Sequence, residues 1–227
     1  MSARLLGVPG SHAVLAAELM LRHRGIAYRR IDVPNGLHRR LVGTVPVLWL
    51  DGERIQTTRA IAGRLGLSAG EAEVWADDTL QDCVRVLGRW AAKNDPSSHW
   101  SFAAGSHLPV PKLVLRPIVP VLGRALFARV QIPADAVRAR LQELPSHLDH
   151  CDDLIAQGVI GGEEPNAADF QVAASVRLAT LFDDLRDAIV ERPVGRLALR
   201  LAPDYPGRFA PVFPAAWLSA QERSSPR

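Results

Sequence analysis

Apolar and polar positions along the chain change rhythm about a third of the way in. Up to Gly66, short apolar runs alternate with helical patterns. Arg4 to Val8 reads as a strand, and Pro9-Gly10-Ser11 as a turn whose serine caps the helix that follows. From His12 to Arg24 apolar residues recur at helical spacing (Val14, Leu15, Leu19, Leu21), and Gly25 ends the helix. Tyr28 to Val33 is a second strand, and Asn35 to Leu41 a polar, basic loop or one short helix. Gly43 to Leu50 is an extended segment that enters Pro46 and becomes an apolar strand. Asp51-Gly52 then makes a hairpin turn into a second short strand, and a helix runs from Thr58 to Leu65.

Strands joined through a helix lie parallel, and a hairpin adds antiparallel neighbours, so a small mixed sheet with helices on its faces is expected. Ser68 to Glu71 reads as a linker. Beyond it the strand signal vanishes: Glu73–Lys93, Pro133–Gln157 and Ala167–Phe182 all carry a helical period. Asn166-Ala167-Ala168-Asp169 opens the last of these as a variant of the capping box. From Pro203 on, the chain is Pro-rich and expected to be irregular. The fold class is thus α/β followed by all-α, with a four-stranded mixed sheet in residues 1–67 and a helical domain in residues 73–227.

Composition changes little in this picture. Apolar residues make up 48% of the 227 and charged ones 22%, ordinary values for a globular protein. The net charge is only +3, and no basic run is interleaved with aromatics, so nucleic acid is not an expected partner. The 27 basic residues include only two lysines, Lys93 and Lys112, an arginine bias that GC-rich coding explains as well as chemistry does. Two cysteines, Cys83 and Cys151, are no disulfide framework, and no signal peptide precedes the first strand, which points to the cytoplasm. Leu108 to Val130 is the most apolar long stretch, but Lys112, Arg116, Arg124 and Arg129 interrupt it. It reads as a helix packed inside the protein or lining an apolar cleft rather than as a membrane span, and no membrane partner is expected.

Chemistry concentrates in the first third. A hydroxyl at a helix N-terminus, where free amides and the helix dipole gather positive potential, can hold a thiolate, and Ser11 occupies such a place. Thr57, Thr58 and Arg59 open another helix, suited to a carboxylate. His38, Arg39 and Arg40 form a basic cluster before the hairpin. His147, His150, Cys151 and Asp152 have spacing that metal ligands can use, but leucines mark the buried face around them and no metal is expected.

The layout resembles the glutathione S-transferase family over nearly the whole chain. Val8-Pro9-Gly10-Ser11 is similar to the turn bearing the catalytic serine of the serine-type classes. Thr44-Val45-Pro46-Val47-Leu48 is similar to the cis-proline segment that pairs with the cysteinyl part of glutathione, and Thr57-Thr58-Arg59-Ala60-Ile61 to the segment holding the γ-glutamyl end. Gly161-Gly162 and Asn166 to Asp169 are similar to the family's capping-box region. The resemblance implies a thioredoxin-like domain, a helical domain and a cytoplasmic homodimer active in detoxification. It also implies glutathione as co-substrate and an apolar electrophile between the domains, with Ser11 as catalytic residue. Val45, Pro46, Thr57, Thr58, Arg59 and His38 would contact glutathione. Thr57 departs from the family, replacing an acid or glutamine and removing a charge-assisted contact of about 1.5–3 kcal/mol. A binding protein on the same scaffold, an enzyme using another small thiol, and an isomerase are the alternatives.

Overall fold

The computed structural model describes residues 3–222, with side chains to residue 218. Its first part follows the order β1 (Ala3–Gly7), α1 (His12–His23), β2 (Tyr28–Asp32), α2 (Leu37–Leu41), β3 (Val47–Leu50), β4 (Glu53–Gln56) and α3 (Thr58–Arg64). The four strands form one sheet in the order β2-β1-β3-β4. β1 and β2 are parallel and the other pairs antiparallel, which is the mixed sheet the period changes imply. The helix at residues 37–41 resolves the choice between loop and helix in favour of a short helix.

Helix α1 lies close on β1 because Gly7 has no side chain: a Cβ there would stand 2.7 Å from Val14 Cγ1. At the other end of the helix, the Arg24 guanidinium donates to Leu65 O (2.9 Å) and Gly66 O (2.7 Å), joining the ends of α1 and α3.

The rest is helical, as expected: α4 (Gly70–Trp75), a π-helical segment over Ala76–Leu80, α5 (Gln81–Asn94), α6 (Ser98–Ala104), α7 (Lys112–Ala128), α8 (Ala134–Ala156), α9 (Ala167–Ala179), α10 (Arg186–Val190), α11 (Pro193–Leu201) and α12 (Ala215–Glu222). Helix α9 is buried along its whole length and is the central post of this part, packed against α1 on one side and α11 on another. Its capping box is complete. Asn166 Oδ1 accepts from Ala168 N (2.9 Å) and Asp169 N (3.2 Å), and the Asp169 carboxylate accepts from Asn166 N (2.9 Å) and Gly161 N (2.5 Å). Ala167 N donates to Leu67 O (2.8 Å), so the end of the first part is tied to the start of this post.

Three expectations are corrected. The linker is shorter than Ser68–Glu71, because α4 begins at Gly70. The region after Pro203 is not wholly irregular: α12 forms after Pro214, with Trp217 packed on Trp90 at 5.6 Å, while residues 223–227 lie outside the described part. The stretch Leu108–Val130 is not packed inside. It becomes α7, of which only Gly123 is buried. That glycine sits on the His99 ring, where a Cβ would lie 2.2 Å from Nδ1, and Phe127 stacks on the same ring at 5.0 Å. The helix is docked along this one edge and the rest of its surface faces outward.

Candidate functional site

Strand register brings the sequence motifs together. The β1–β3 ladder ends at Leu6 opposite Val47, and the β3–β4 ladder ends at Val47 opposite Gln56. One step further along each chain lie the Val8–Ser11 turn, Pro46 and Thr57. Thr57 N donates to Pro46 O at 3.3 Å, carrying the ladder past its last pair. Ser11, Val45-Pro46 and Thr57-Thr58 therefore meet at the carboxyl end of β1, the end at which open α/β sheets bind ligands.

Ser11 is the N-cap of α1: its Oγ accepts from Val14 N at 3.3 Å. A hydroxyl that accepts from the backbone still has its own proton to donate. The turn before it requires glycine at position 10, where φ is +71° and a Cβ would stand 2.7 Å from the Phe102 ring. Gly10 O accepts from Tyr205 Oη at 2.7 Å. Burial raises the Tyr205 phenol well above its ordinary range, so it stays a donor. Nothing in the sequence singles out Tyr205, which reaches this turn from a distant part of the chain.

The Val45-Pro46 peptide is cis. The backbone N–H and C=O of Val45 bond to no other described residue and so present one donor and one acceptor at the site. The loop leading into it is held by Gln56, which the sequence reading passed over. Gln56 Nε2 donates to Val42 O (2.8 Å), Thr44 O (2.9 Å) and Thr44 Oγ1 (3.0 Å).

Thr57 has φ +80° and ψ 150°, a conformation that essentially only glycine adopts freely. Its Oγ1 caps α3 by accepting from Ala60 N at 3.2 Å. Thr57→Gly is expected to relieve part of a strain of about 1–3 kcal/mol and lose only a few tenths in capping. A thermal melt should show Tm rising by about 2–4 °C per kcal/mol relieved; a fall would mean the conformation is not strained. Thr58 is buried, and its hydroxyl bonds to no other described residue. Arg59 faces the helical part, 3.8 Å from Asp78 of the π-helical segment, with both side chains exposed. His38, on α2, keeps a buried Nδ1 without a partner. No hydrogen bond or ion pair among the described residues ties Arg59 or His38 to Ser11.

Arginines act on the two histidines of this region. His12 is buried and its Nε2 has no partner. Burial, reinforced by Arg85 and Arg89 of α5, lowers its pKa from 6.5 to about 4. His38 is lowered by burial and then by Arg39 and Arg89. Arg89, with no carboxylate in ion-pair reach among the described residues, is itself lowered by burial and by Arg85 and Arg39. Arg89 thus acts on both histidines, while Arg85 is paired with Asp82.

The His12 shift predicts an acid-sensitive stability. The unfolded chain takes up a proton as pH falls through 6.5, whereas the folded chain does so only near 4. Stability is then lost on acidification between those values, by roughly 3 kcal/mol in all. Urea titrations at a series of pH values should show this loss in the wild type, and His12→Phe should lose about 3 kcal/mol less, the remainder coming from His38, His99 and His147, which burial also lowers.

Behind the Pro9-Gly10 turn lies a polar network. Arg30 bonds Glu18 (2.5 Å) and Asp32 (3.0 Å), Tyr28 Oη donates to Glu18 (2.9 Å), and Asp32 accepts from His107 N (2.8 Å). A cavity of about 80 Å³ opens among Gly10, Glu18, Arg30 and Tyr205. Ligand clefts are usually about 300–1,000 Å³, so this one is too small for a peptide thiol and belongs to the support of the turn.

Cys83 and Cys151 are buried free thiols, and burial raises both well above their ordinary pKa, which makes them poor nucleophiles. His150 and His147 pack edge-on against Trp75, with centroids 4.4 and 6.0 Å away. Among the described residues no group of three or more His, Cys, Asp or Glu side chains is placed to hold a metal ion.

No family model matches the chain, and no curated protein matches it. Solved structures do. A glutathione S-transferase from Methylobacterium radiotolerans JCM 2831, in complex with glutathione sulfonate, superposes with a TM-score of 0.55 at 15% identity, covering 88% of this chain and 90% of that one. The β-etherase LigF from Sphingobium sp. strain SYK-6 gives 0.54 at 15% identity, covering 88% and 99%. A GST-like protein from Pseudomonas syringae gives 0.51 at 16% identity, covering all of this chain and 75% of its own. At these identities the similarity shows a shared fold.

Proposed function

We propose, from the glutathione S-transferase fold of this chain, that it is a transferase-like enzyme joining a peptide thiol, glutathione or a close relative, to an electrophile. The observation that carries this reading is the convergence of Ser11, the free Val45 backbone and Thr57-Thr58 at one end of the sheet. The Ser11 hydroxyl donates to the thiolate, helped by the N-terminus of α1 and by Arg85 and Arg89. Lowering the thiol pKa in this way raises the fraction of nucleophile at neutral pH. Val45 N–H and C=O pair with the cysteinyl backbone as an added strand would. Thr58 and the free amides at the start of α3 take the γ-glutamyl carboxylate, with Arg59 released from Asp78 or acting at a distance, and His38 lies toward the other end of the peptide. The thiolate sulfur attacks an electrophilic carbon, the C–S bond forms, and the leaving group departs with its electron pair while the thiol proton passes to water.

In this reading residues 1–67 hold the thiol and residues 73–227 face the electrophile. The protein works in the cytoplasm, in detoxification, as a homodimer burying about 1,600 Å² or more. The electrophile in this reading is apolar and lies between the two parts of the chain. The test is an ultraviolet titration of bound glutathione: the thiolate band should appear well below the pH at which free glutathione ionises. Its appearance only at the free-thiol pH would contradict the assignment of Ser11.

One observation favours a second reading, a binding protein on the same scaffold. The Thr57-Thr58-Arg59 segment offers no carboxylate to a γ-glutamyl amine. Ligand binding without turnover of any activated electrophile would select it.

A further inference from the structure

Helix α7 presents a surface that the thiol site does not use. Leu113 is 83% and Val121 70% exposed, and Val114, Ile118 and Leu122 are half-exposed. At 100° per residue Val114, Ile118 and Val121 lie opposite the Gly123–Phe127 edge that docks on His99, with Leu113 and Leu122 on the flanks. Arg124 and Arg129 flank this apolar face on its two sides, while Lys112 and Arg116 fall at the azimuth of the Gly123–Phe127 edge. All four are exposed, and none is paired with a carboxylate among the described residues. The chain has no acidic residue at all between Asp95 and Asp135.

An apolar stripe this large on a soluble surface marks an interaction site, and the charge pattern selects the partner. A second copy packed on this face about a two-fold axis would set the same cations against each other, with no acid from the helix to pair them. An anionic lipid surface satisfies both halves: the leucine and valine side chains enter the acyl boundary while arginines reach phosphates. Among the described residues no helix is long and apolar enough to cross a membrane, so α7 would lie in the interface.

We propose that α7 is a membrane-surface helix that docks the protein on anionic lipid through Val114, Ile118 and Val121, with Arg124 and Arg129 contacting headgroup phosphates. This departs from the sequence-based expectation of no membrane partner. It is independent of the thiol chemistry.

The test is co-sedimentation of the full-length protein with vesicles of phosphatidylcholine alone and with vesicles containing about one-third phosphatidylserine. Binding should be seen with the anionic vesicles, and the partition coefficient should fall at least tenfold on replacing them with the neutral ones. Arg124→Glu/Arg129→Glu should lower binding to anionic vesicles at least tenfold, and Leu113→Ser/Val121→Ser should do the same. All these side chains are exposed, so the thermal midpoint of each variant should match the wild type, confirming that the fold is intact. Equal binding to both vesicles, no binding to either, or full binding by the charge-reversed variant would overturn the proposal. So would a dimer, by analytical ultracentrifugation, that Leu113→Ser/Val121→Ser converts to monomer, since that would show a second copy covering the face.

Discussion

Ser11→Gly is expected to lower kcat/KM for glutathione conjugation of an activated chloroarene by about ten- to a hundredfold, the worth of one hydrogen bond to a charged group. Glycine is the informative replacement. As an N-cap it costs only a few tenths of a kcal/mol relative to serine, whereas alanine costs about 1 kcal/mol. Loss of rate with an unchanged melt therefore reports on the hydroxyl and not on α1. The pH profile should move to higher pH at the same time, because the thiolate loses a donor. An unchanged profile would assign the thiolate's stabilisation to the helix N-terminus and to Arg85 and Arg89 alone.

Asp32→Ala should be among the most destabilising single changes. The carboxylate is fully buried and accepts from Arg30 Nε (3.1 Å), Arg30 Nη2 (3.0 Å) and His107 N (2.8 Å). It thereby joins β2 to the loop after α6, and Asp32 N completes the link by donating to His107 O (3.1 Å). Removing it leaves part of the Arg30 guanidinium and a backbone N–H without a partner in a buried setting. Breaking a buried pair from one side typically costs about 3–5 kcal/mol, or about 10 °C in Tm for a chain of this size. A shift of only a degree or two in the single variant would mean that Glu18 alone satisfies Arg30.

Much of the fold was legible because its signals are local. The change from alternating to helical period marks where the sheet ends, Asp51-Gly52 the hairpin, Ser11 and Asn166 the helix starts, and each depends on residues within a few positions. That the three segments of the candidate site are neighbours was legible for the same reason, since they sit at strand ends and strand register does the rest. Residues that act across the fold were not. Tyr205 meets Gly10 only after the helical part closes over the sheet, and Gln56 reads as an ordinary strand position until its amide is seen bridging Val42 and Thr44. Arg85 and Arg89 look like the solvated face of α5, and their electrostatic reach to His12 and His38 is a tertiary fact. Leu108–Val130 shows the reverse case. Its apolar pattern announces a helix but not what covers it, and α7 is left largely uncovered.

Calorimetric titration of the wild type and of Thr58→Val with glutathione tests the central claim most directly. Thr58 is buried at the start of α3 with its hydroxyl free for a ligand, and valine keeps its shape while removing that hydroxyl. The wild type should bind glutathione with a dissociation constant in the millimolar range or tighter, and Thr58→Val should weaken it about tenfold or more. No detectable heat from the wild type, or equal affinity in the variant, would contradict the assignment of this end of the sheet as a peptide-thiol site.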